Sequence, residues 1–328
     1  MKSFFKGRLS SQNYERVAII GRCLRDLRAT FRAKATTLTG PRLGAVSQAT
    51  GICPLGLTDI REALDFLKIR RGDLLLVHSS ANTLFESGIR SDRDTPSDLI
   101  TYCEAIVDLL IEHIGPNGTL LMPTEPPGDV FLISRNQEVF DYRRTPSNRG
   151  LITELFRRRP DVVRSVHPRY NITGRGPLAD ELMRDHHRSV PYTMDENSPW
   201  YKFTQRNGKV LMLGPGLDNN SLVHLPEYLY PHDYPRALYY NKPFPFCYVT
   251  REGITETMDV AIHALNWVGG ECFRFCQYLQ EKYGLYKVAS AGCAEFVCYN
   301  SKAQFEAICA EMRANVCWND IRYWAKSA

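Results

Sequence analysis

The chain has 328 residues, 44% of them apolar, 11% aromatic and 23% charged, a balance that supports a large buried core and excludes collagen-like, low-complexity and wholly disordered classes. Its 41 Lys and Arg against 36 Asp and Glu give +5, but residues 1–34 alone hold nine basic and two acidic side chains, so the remainder carries −2. A body of that charge is not built to grip nucleic acid, which needs clustered cations on the folded domain itself.

No stretch reaches the roughly 18 consecutive apolar residues of a membrane span, and the start Met1-Lys2-Ser3-Phe4-Phe5-Lys6 lacks the apolar run of a secretory signal. A cytoplasmic location is expected. The ten cysteines include no Cys-x-x-Cys pair and read as reduced thiols, with Cys272 and Cys276 as two buried thiols on one helical face.

In chain order, residues 1–56 read as a basic helical extension and linker, and residues 57–328 as the main folded domain. Within 13–33 the residues Val17, Ile20, Cys23, Leu24, Leu27 and Phe31 recur at helical spacing, with Arg16, Arg22, Arg25 and Arg32 largely elsewhere on the wheel. Such a helix either packs on the body or adheres to an anionic membrane surface or an acidic partner. Thr58-Asp59 caps a helix running to about Leu67, and Asp73–His78 is a short apolar run of buried-strand type. Thr95 as N-cap with Pro96 behind it opens a helix with a stripe of Leu99, Cys103, Ile106, Leu110 and Ile114, stopped by Gly115-Pro116. A strand at 119–123, a helix near 150–158, a strand at 209–214 and a helix from about Asn220 continue an α/β alternation.

Three segments concentrate reactive side chains at strand ends, where open α/β sheets hold their ligands. They are His78-Ser79-Ser80, the stretch Arg164 to Asn171 around His167-Pro168, and the stretch Asn219 to Glu227 around His224. None contains a phosphate-binding loop, a dinucleotide fingerprint, a His-Glu-x-x-His zinc motif or a nucleophile elbow. His167 precedes a proline and therefore sits on extended chain, where an imidazole can face a cleft and take a proton near neutral pH. His224 and Glu227 are three apart and meet if the segment is helical, although Pro226 between them disfavours a regular mid-helix.

These segments resemble the aminoglycoside 3-N-acetyltransferase family in the order of its blocks: Gly72-Asp73 to Ser80, Gly118 to Thr124, Phe140-Asp141, Thr145-Pro146-Ser147 with Gly150, Arg164-Ser165 with His167-Pro168, Gly176 to Ala179, Ser198-Pro199, and Leu213-Gly214 leading to His224 and Glu227. The resemblance covers about residues 58 to 325. It implies a three-layer α/β/α fold and direct transfer of an acyl group, acetyl above all, from coenzyme A to a small amine. On matching positions it implies His167 as the base, Glu227 orienting an imidazole or holding the substrate ammonium, His224 beside it, and Ser221 donating to the thioester oxygen. Ser79, Ser80, Gly88 and Arg90 are implied to contact the coenzyme, and Arg169, Asn171 and Thr124 to line the acceptor pocket, with no metal. Family members acting on aminoglycosides usually carry an acidic residue and a serine where this chain has Arg169 and Asn171. An arginine there repels a polycation and suits an acceptor with a carboxylate or phosphate. The expectation is therefore a non-resistance member acting on an anion-bearing amino sugar of a polysaccharide or secondary-metabolite pathway. The competing readings are a metal-dependent hydrolase using His167, His224 and Glu227, an aminoglycoside-modifying resistance enzyme, and a non-catalytic interaction module. Nothing in the sequence decides between a monomer and a homodimer.

Overall fold

The structure, a computed structural model, describes residues 53–89, 94–234, 237–264 and 272–317. The helix expected over 13–33 and Arg90 lie outside the described residues. The chain is already tied to the body at Cys53, which forms a bridge with Gly88, and at Leu55, whose N–H donates to the Leu84 carbonyl at 2.9 Å. The body thus takes in residues assigned to the linker by a boundary at 56/57.

A seven-stranded mixed sheet organises the molecule, with strand order β3-β4-β2-β1-β5-β9-β8. Its centre is β1 (Leu74–Ser79), parallel to β2 (Thr119–Pro123) on one side and to β5 (Lys209–Leu213) on the other. The antiparallel pair β3 (Val163–Arg164) and β4 (Ile172–Arg175) extends the β2 edge, and β8 (Lys287–Ala291) with β9 (Ala294–Asn300) extends the β5 edge. A separate two-stranded hairpin is formed by β6 (Phe244–Val249) and β7 (Thr255–Val260).

Period-two alternation sends the central strands' side chains into two helical layers. Leu75, Val77, Leu120, Met122, Leu211 and Leu213 share one core with Tyr102, Ile106 and Leu110 of the helix Leu99–Ile114. Leu76, Leu121, Val210 and Met212 point the other way, onto Trp200 and Phe203 of Pro199–Gln205, Phe275 of Cys272–Tyr283 and Ile308 of Ser301–Arg313. The three-layer α/β/α expectation is met. Cys272 and Cys276 are both buried in that second core, as the spacing predicts.

The caps differ from expectation in two places. The first helix among the described residues, Leu57–Phe66, has Gly56 at its N-cap with no side-chain cap. The helix Leu99–Ile114 is capped by Asp98, whose Oδ1 accepts from the Thr101 N–H at 2.9 Å. Thr95, the expected cap, instead accepts from the Leu57 N–H at 3.1 Å and joins the two helix starts. Asp and Thr are both good caps, so local propensity leaves the choice to tertiary contacts.

Register places the reactive loops. Ser79 is opposite Leu213, and Pro123 is opposite Ile172. The loops leaving β1, β2 and β5 and the loop entering β4 therefore emerge at the same end of the sheet.

Candidate active site

The segment after β5 begins with a 3₁₀ turn, Ser221–His224, capped by Asn220, whose Oδ1 accepts from the Leu222 N–H at 3.0 Å. It passes directly into the helix Leu225–Leu229, with Pro226 in the first turn, where its missing N–H costs no hydrogen bond. That placement resolves the conflict between Pro226 and a helical His224/Glu227 pair. His224 Nδ1 donates to Glu227 Oε2 at 2.7 Å. His263, just beyond β7, donates to the same oxygen from Nε2 at 2.9 Å. Glu227 is completely buried, whereas the His224 and His263 side chains are 23% and 25% exposed. Burial alone raises the Glu227 pKa, but the two imidazoles outweigh it and hold the carboxyl at about 2. Because an ionised carboxylate only accepts, both rings must donate to it, and the basic lone pair of His224 is placed on Nε2.

Aromatic rings wall this cluster. Tyr170 meets the His224 ring edge-on at 5.9 Å, and His263 lies 5.3 Å from Tyr228 and 4.7 Å from Tyr239. Arg169 stands over the Tyr170 ring at 5.4 Å and pairs with Glu125, which also pairs with Arg149. Two guanidinium groups thus share one buried carboxylate beside Tyr170.

His167 does not join the cluster. Its ring is completely buried, stacked on His186 at 4.6 Å. Nδ1 accepts from the Arg169 N–H at 3.0 Å and Nε2 faces the Ser189 carbonyl at 3.1 Å. Burial pushes its pKa down to about 4. With its ring sealed and both nitrogens held by backbone, His167 does not face a cleft, contrary to expectation. The rival metal set of His167, His224 and Glu227 is likewise not assembled. The groups brought together are His224, Glu227 and His263, whose donor atoms all lie within 4.8 Å of one another.

Thr124 and Asn171 are also fully buried. Asn171 Oδ1 accepts from Thr124 Oγ1 and from Arg164 Nε, both at 2.8 Å, and Thr173 Oγ1 joins Thr124 at 3.1 Å. These bonds fasten the end of β2 to the start of β4 beneath the site. Ser221 is half-buried, one turn before His224.

At the end of β1, Ser79 Oγ and His78 Nε2 are buried polar atoms without a hydrogen-bond partner. Burial, followed by the charge of Arg149, pushes the His78 pKa down to about 3. Gly150, at φ 97°, faces the Ser79 carbonyl across space that a Cβ would narrow to 3.7 Å. Orphaned polar atoms beside a side-chain-free glycine fit the backbone approach of an extended polar ligand. Ser80 is committed locally: it caps the helix Ala81–Phe85, its Oγ lies 2.7 Å from Thr83 Oγ1, and its N–H donates to the Leu213 carbonyl at 3.1 Å. Gly88 is buried against Cys53 and Pro54. Sequence reading missed His263, Glu125 and Arg149. Glu125 lies two residues beyond the end of β2, so the strand-end rule reaches it, whereas His263 is 36 residues from Glu227 and carries no motif.

A family model described as Aminoglycoside 3-N-acetyltransferase matches residues 76–313. The SPbeta prophage-derived aminoglycoside N(3')-acetyltransferase-like protein YokD of Bacillus subtilis (strain 168) is 28% identical over 191 residues, covering 53% of this chain and 65% of YokD. Aminoglycoside N(3)-acetyltransferase IV of Salmonella sp is 33% identical over 174 residues, 52% of this chain and 58% of that enzyme. The chain therefore spans under two thirds of the length of these curated relatives. Among solved structures, the apoenzyme of aminoglycoside acetyltransferase AAC(3)-IVa superposes with a TM-score of 0.62 at 23% identity over 82% of this chain and 92% of that one. AAC-IIIb in a binary complex with CoASH gives 0.61 at 21% identity over 78% and 96%. At that identity the structures establish the shared fold. With a family model matching most of its length, the chain belongs to the aminoglycoside 3-N-acetyltransferase family.

Proposed function

We propose that this protein transfers an acetyl group from acetyl-CoA directly to the amino group of a small acceptor, with His224 as the base and Glu227 holding it. The observation that carries this reading is the His224–Glu227 hydrogen bond at 2.7 Å, which combines a partly exposed imidazole with a fully buried, ionised carboxylate. Family membership and the CoASH complex of AAC-IIIb support the donor.

His224 Nε2 takes a proton from the acceptor ammonium, and the freed amine attacks the thioester carbonyl. Glu227 stabilises the imidazolium so formed, as a buried carboxylate partner does in other acyl transfers. The Ser221 hydroxyl, one turn before His224, is assigned to the developing oxyanion. When the C–S bond breaks, His224 returns its proton to the departing thiolate and the acylated nitrogen releases its remaining extra proton to solvent, so the products are the amide, the free thiol and one proton. Ser79 Oγ and His78 Nε2 are assigned to the coenzyme. Supplied when bound, the thioester brings the activated acyl group; the chain brings the base, its orientation and the oxyanion donor.

The acceptor is assigned as an amino sugar bearing an anionic group. The trio of Arg149, Arg169 and Glu125 carries one net positive charge, separate from the ionised Glu227 of the His224 pair, and lies beside Tyr170, whose ring is 5.9 Å from that of His224. That charge favours a carboxylate or phosphate and opposes a polycation. A thermal-shift titration with acetyl-CoA, followed by thiol release across a panel of nucleotide-linked amino sugars and gentamicin-like compounds, tests both parts. Stabilisation by acetyl-CoA with turnover of the anionic sugars is expected. Absence of any stabilisation overturns the donor assignment, and turnover confined to gentamicin-like amines overturns the acceptor assignment.

A further inference from the structure

We infer that His224, Glu227 and His263 form a site for a divalent cation of the zinc class, and that an ion there switches off proton transfer by His224. The second half rests on the reading of His224 as base; the first does not. Among the described residues this is the one group of three or more His, Cys, Asp or Glu donors that could hold a metal.

The donors are His224 Nδ1, His263 Nε2 and Glu227 Oε2, at 2.7 and 2.9 Å across the two His–Glu pairs and within 4.8 Å overall. Two imidazoles and one carboxylate are a common three-ligand zinc set that leaves a fourth position open. Zinc bonds of about 2.0–2.2 Å at tetrahedral angles put donors roughly 3.3 Å apart, so the carboxylate oxygen must retreat about half an ångström from each ring. The rings are held for this. His263 lies against Tyr239 at 4.7 Å in a segment fixed by the Tyr239–His263 bridge, and Tyr170 stands against His224. Both imidazoles are about a quarter exposed, which opens a path for the ion, while Glu227 supplies buried negative charge. Nitrogen donors discriminate against magnesium and calcium, which prefer oxygen.

Occupancy has a definite chemical consequence. In the metal-free site each ring spends its N–H on Glu227, and His224 keeps its lone pair on Nε2. A cation takes the nitrogen that now carries that N–H, so each neutral ring moves its single proton to its other nitrogen. Nε2 of His224 then becomes a donor, and the lone pair needed to accept the ammonium proton is gone. The ion is thus an inhibitor and not a cofactor: the proposed transfer requires a metal-free site.

Cobalt chloride is the probe, because its visible absorption reports coordination geometry and a near-ultraviolet thiolate band reports any cysteine ligand; calorimetry with zinc chloride runs alongside. The full chain is compared with His263→Ala and with His263→Gln, which keeps a donor for Glu227 but removes the imidazole. Binding of one ion with a tetrahedral spectrum and no thiolate band is expected, weakened at least about 100-fold in both variants. No stoichiometric binding by the full chain, a thiolate band, or unchanged affinity in a folded His263→Gln protein overturns the site. Reversible loss of acetyl transfer on adding zinc, restored by a chelator, is expected in the same full chain. Binding without inhibition overturns the switch while leaving the cation site standing, and absent acetyl transfer in metal-free protein counts against the function and not the site.

Discussion

Glu227 Oε2 accepts hydrogen bonds from two imidazoles at once, His224 at 2.7 Å and His263 at 2.9 Å, while the carboxylate itself has no solvent exposure. The two rings are held differently. His224 follows the loop that leaves the end of β5, whereas His263 is braced between Tyr228 and Tyr239. Replacing His224 by Ala is expected to lower kcat by about 10²- to 10⁴-fold, the usual worth of a positioned base, with little change in acetyl-CoA binding. Glu227→Gln should lose a comparable amount because it no longer fixes the tautomer. Steady-state kinetics with separate coenzyme-binding titrations check both, and a near-normal kcat in His224→Ala protein refutes the assignment.

His167 should respond differently. Its nitrogens hold the Arg169 N–H and the Ser189 carbonyl inside a sealed stack with His186. Truncation to Ala leaves both backbone groups unpaired around a cavity and is expected to cost about 3 kcal/mol of stability. Chemical denaturation should show the loss, while turnover per folded molecule stays within a few-fold of the parent. A collapse of turnover with unchanged stability returns His167 to the chemistry.

The same burial makes the fold acid-sensitive. The unfolded His167 ring takes up its proton near pH 6.5, whereas burial keeps the folded ring neutral down to about 4. Its contribution is therefore fully present above pH 6.5 and declines as pH falls toward 4, by about 3 kcal/mol over that window. Burial lowers His78 and His186 in the same direction. Melting temperatures measured from pH 7.5 to 4.5 should fall steeply below 6.5, and a flat profile contradicts the neutral-histidine core.

Much of this fold is legible in sequence because its strands and helices carry local signals. Leu75 to Val77 and Leu120 to Met122 are short apolar runs buried on both faces, and Gly115 stops its helix at φ 68°. The site is less legible because its parts meet only through sheet register and long-range contact. Pro123 opposite Ile172 brings Glu125 to Arg169, and the β6–β7 hairpin delivers His263 to a glutamate far back in the chain. His167 misleads for a related reason: a proline after it predicts extended backbone but says nothing about whether the ring faces water or core. The hydrogen bonds of Thr124 and Asn171 are equally invisible in one dimension, since a strand-end polar residue that ties two strands together looks like any other.

Gly88 illustrates a residue whose glycine requirement is steric. Its N–H donates to the Cys53 carbonyl at 2.8 Å, and a Cβ would overlap the Pro54 carbonyl oxygen and stand 2.6 Å from that of Cys53. Gly88→Ala must displace the segment 53–55 that closes over the helix Ala81–Phe85, at an expected cost of about 2 kcal/mol. Differential scanning calorimetry should register a lower Tm, with acetyl-CoA affinity preserved in the folded fraction. Lost coenzyme affinity at unchanged Tm places Gly88 in the coenzyme site after all.

The proposed acceptor preference is tested at Arg169. Glu125 is buried and cannot be left without a cation, but it has two, so Arg169→Gln removes one charge while Arg149 still satisfies the carboxylate. The substitution therefore tests charge without collapsing the pair beneath it, and it takes the sum over Arg149, Arg169 and Glu125 from one net positive charge to zero. If that charge selects the acceptor, kcat/KM for a nucleotide-linked amino sugar should fall by about tenfold, the worth of one charge-assisted contact of roughly 1.4 kcal/mol. The same value for a gentamicin-like polyamine should stay level or rise, because a repulsive neighbour has gone. Added salt should narrow the parent's preference and leave the variant's almost unchanged, since screening acts only where a charge difference remains. Equal losses for anionic and cationic acceptors would mean that Arg169 serves the packing of Tyr170 and not the choice of substrate.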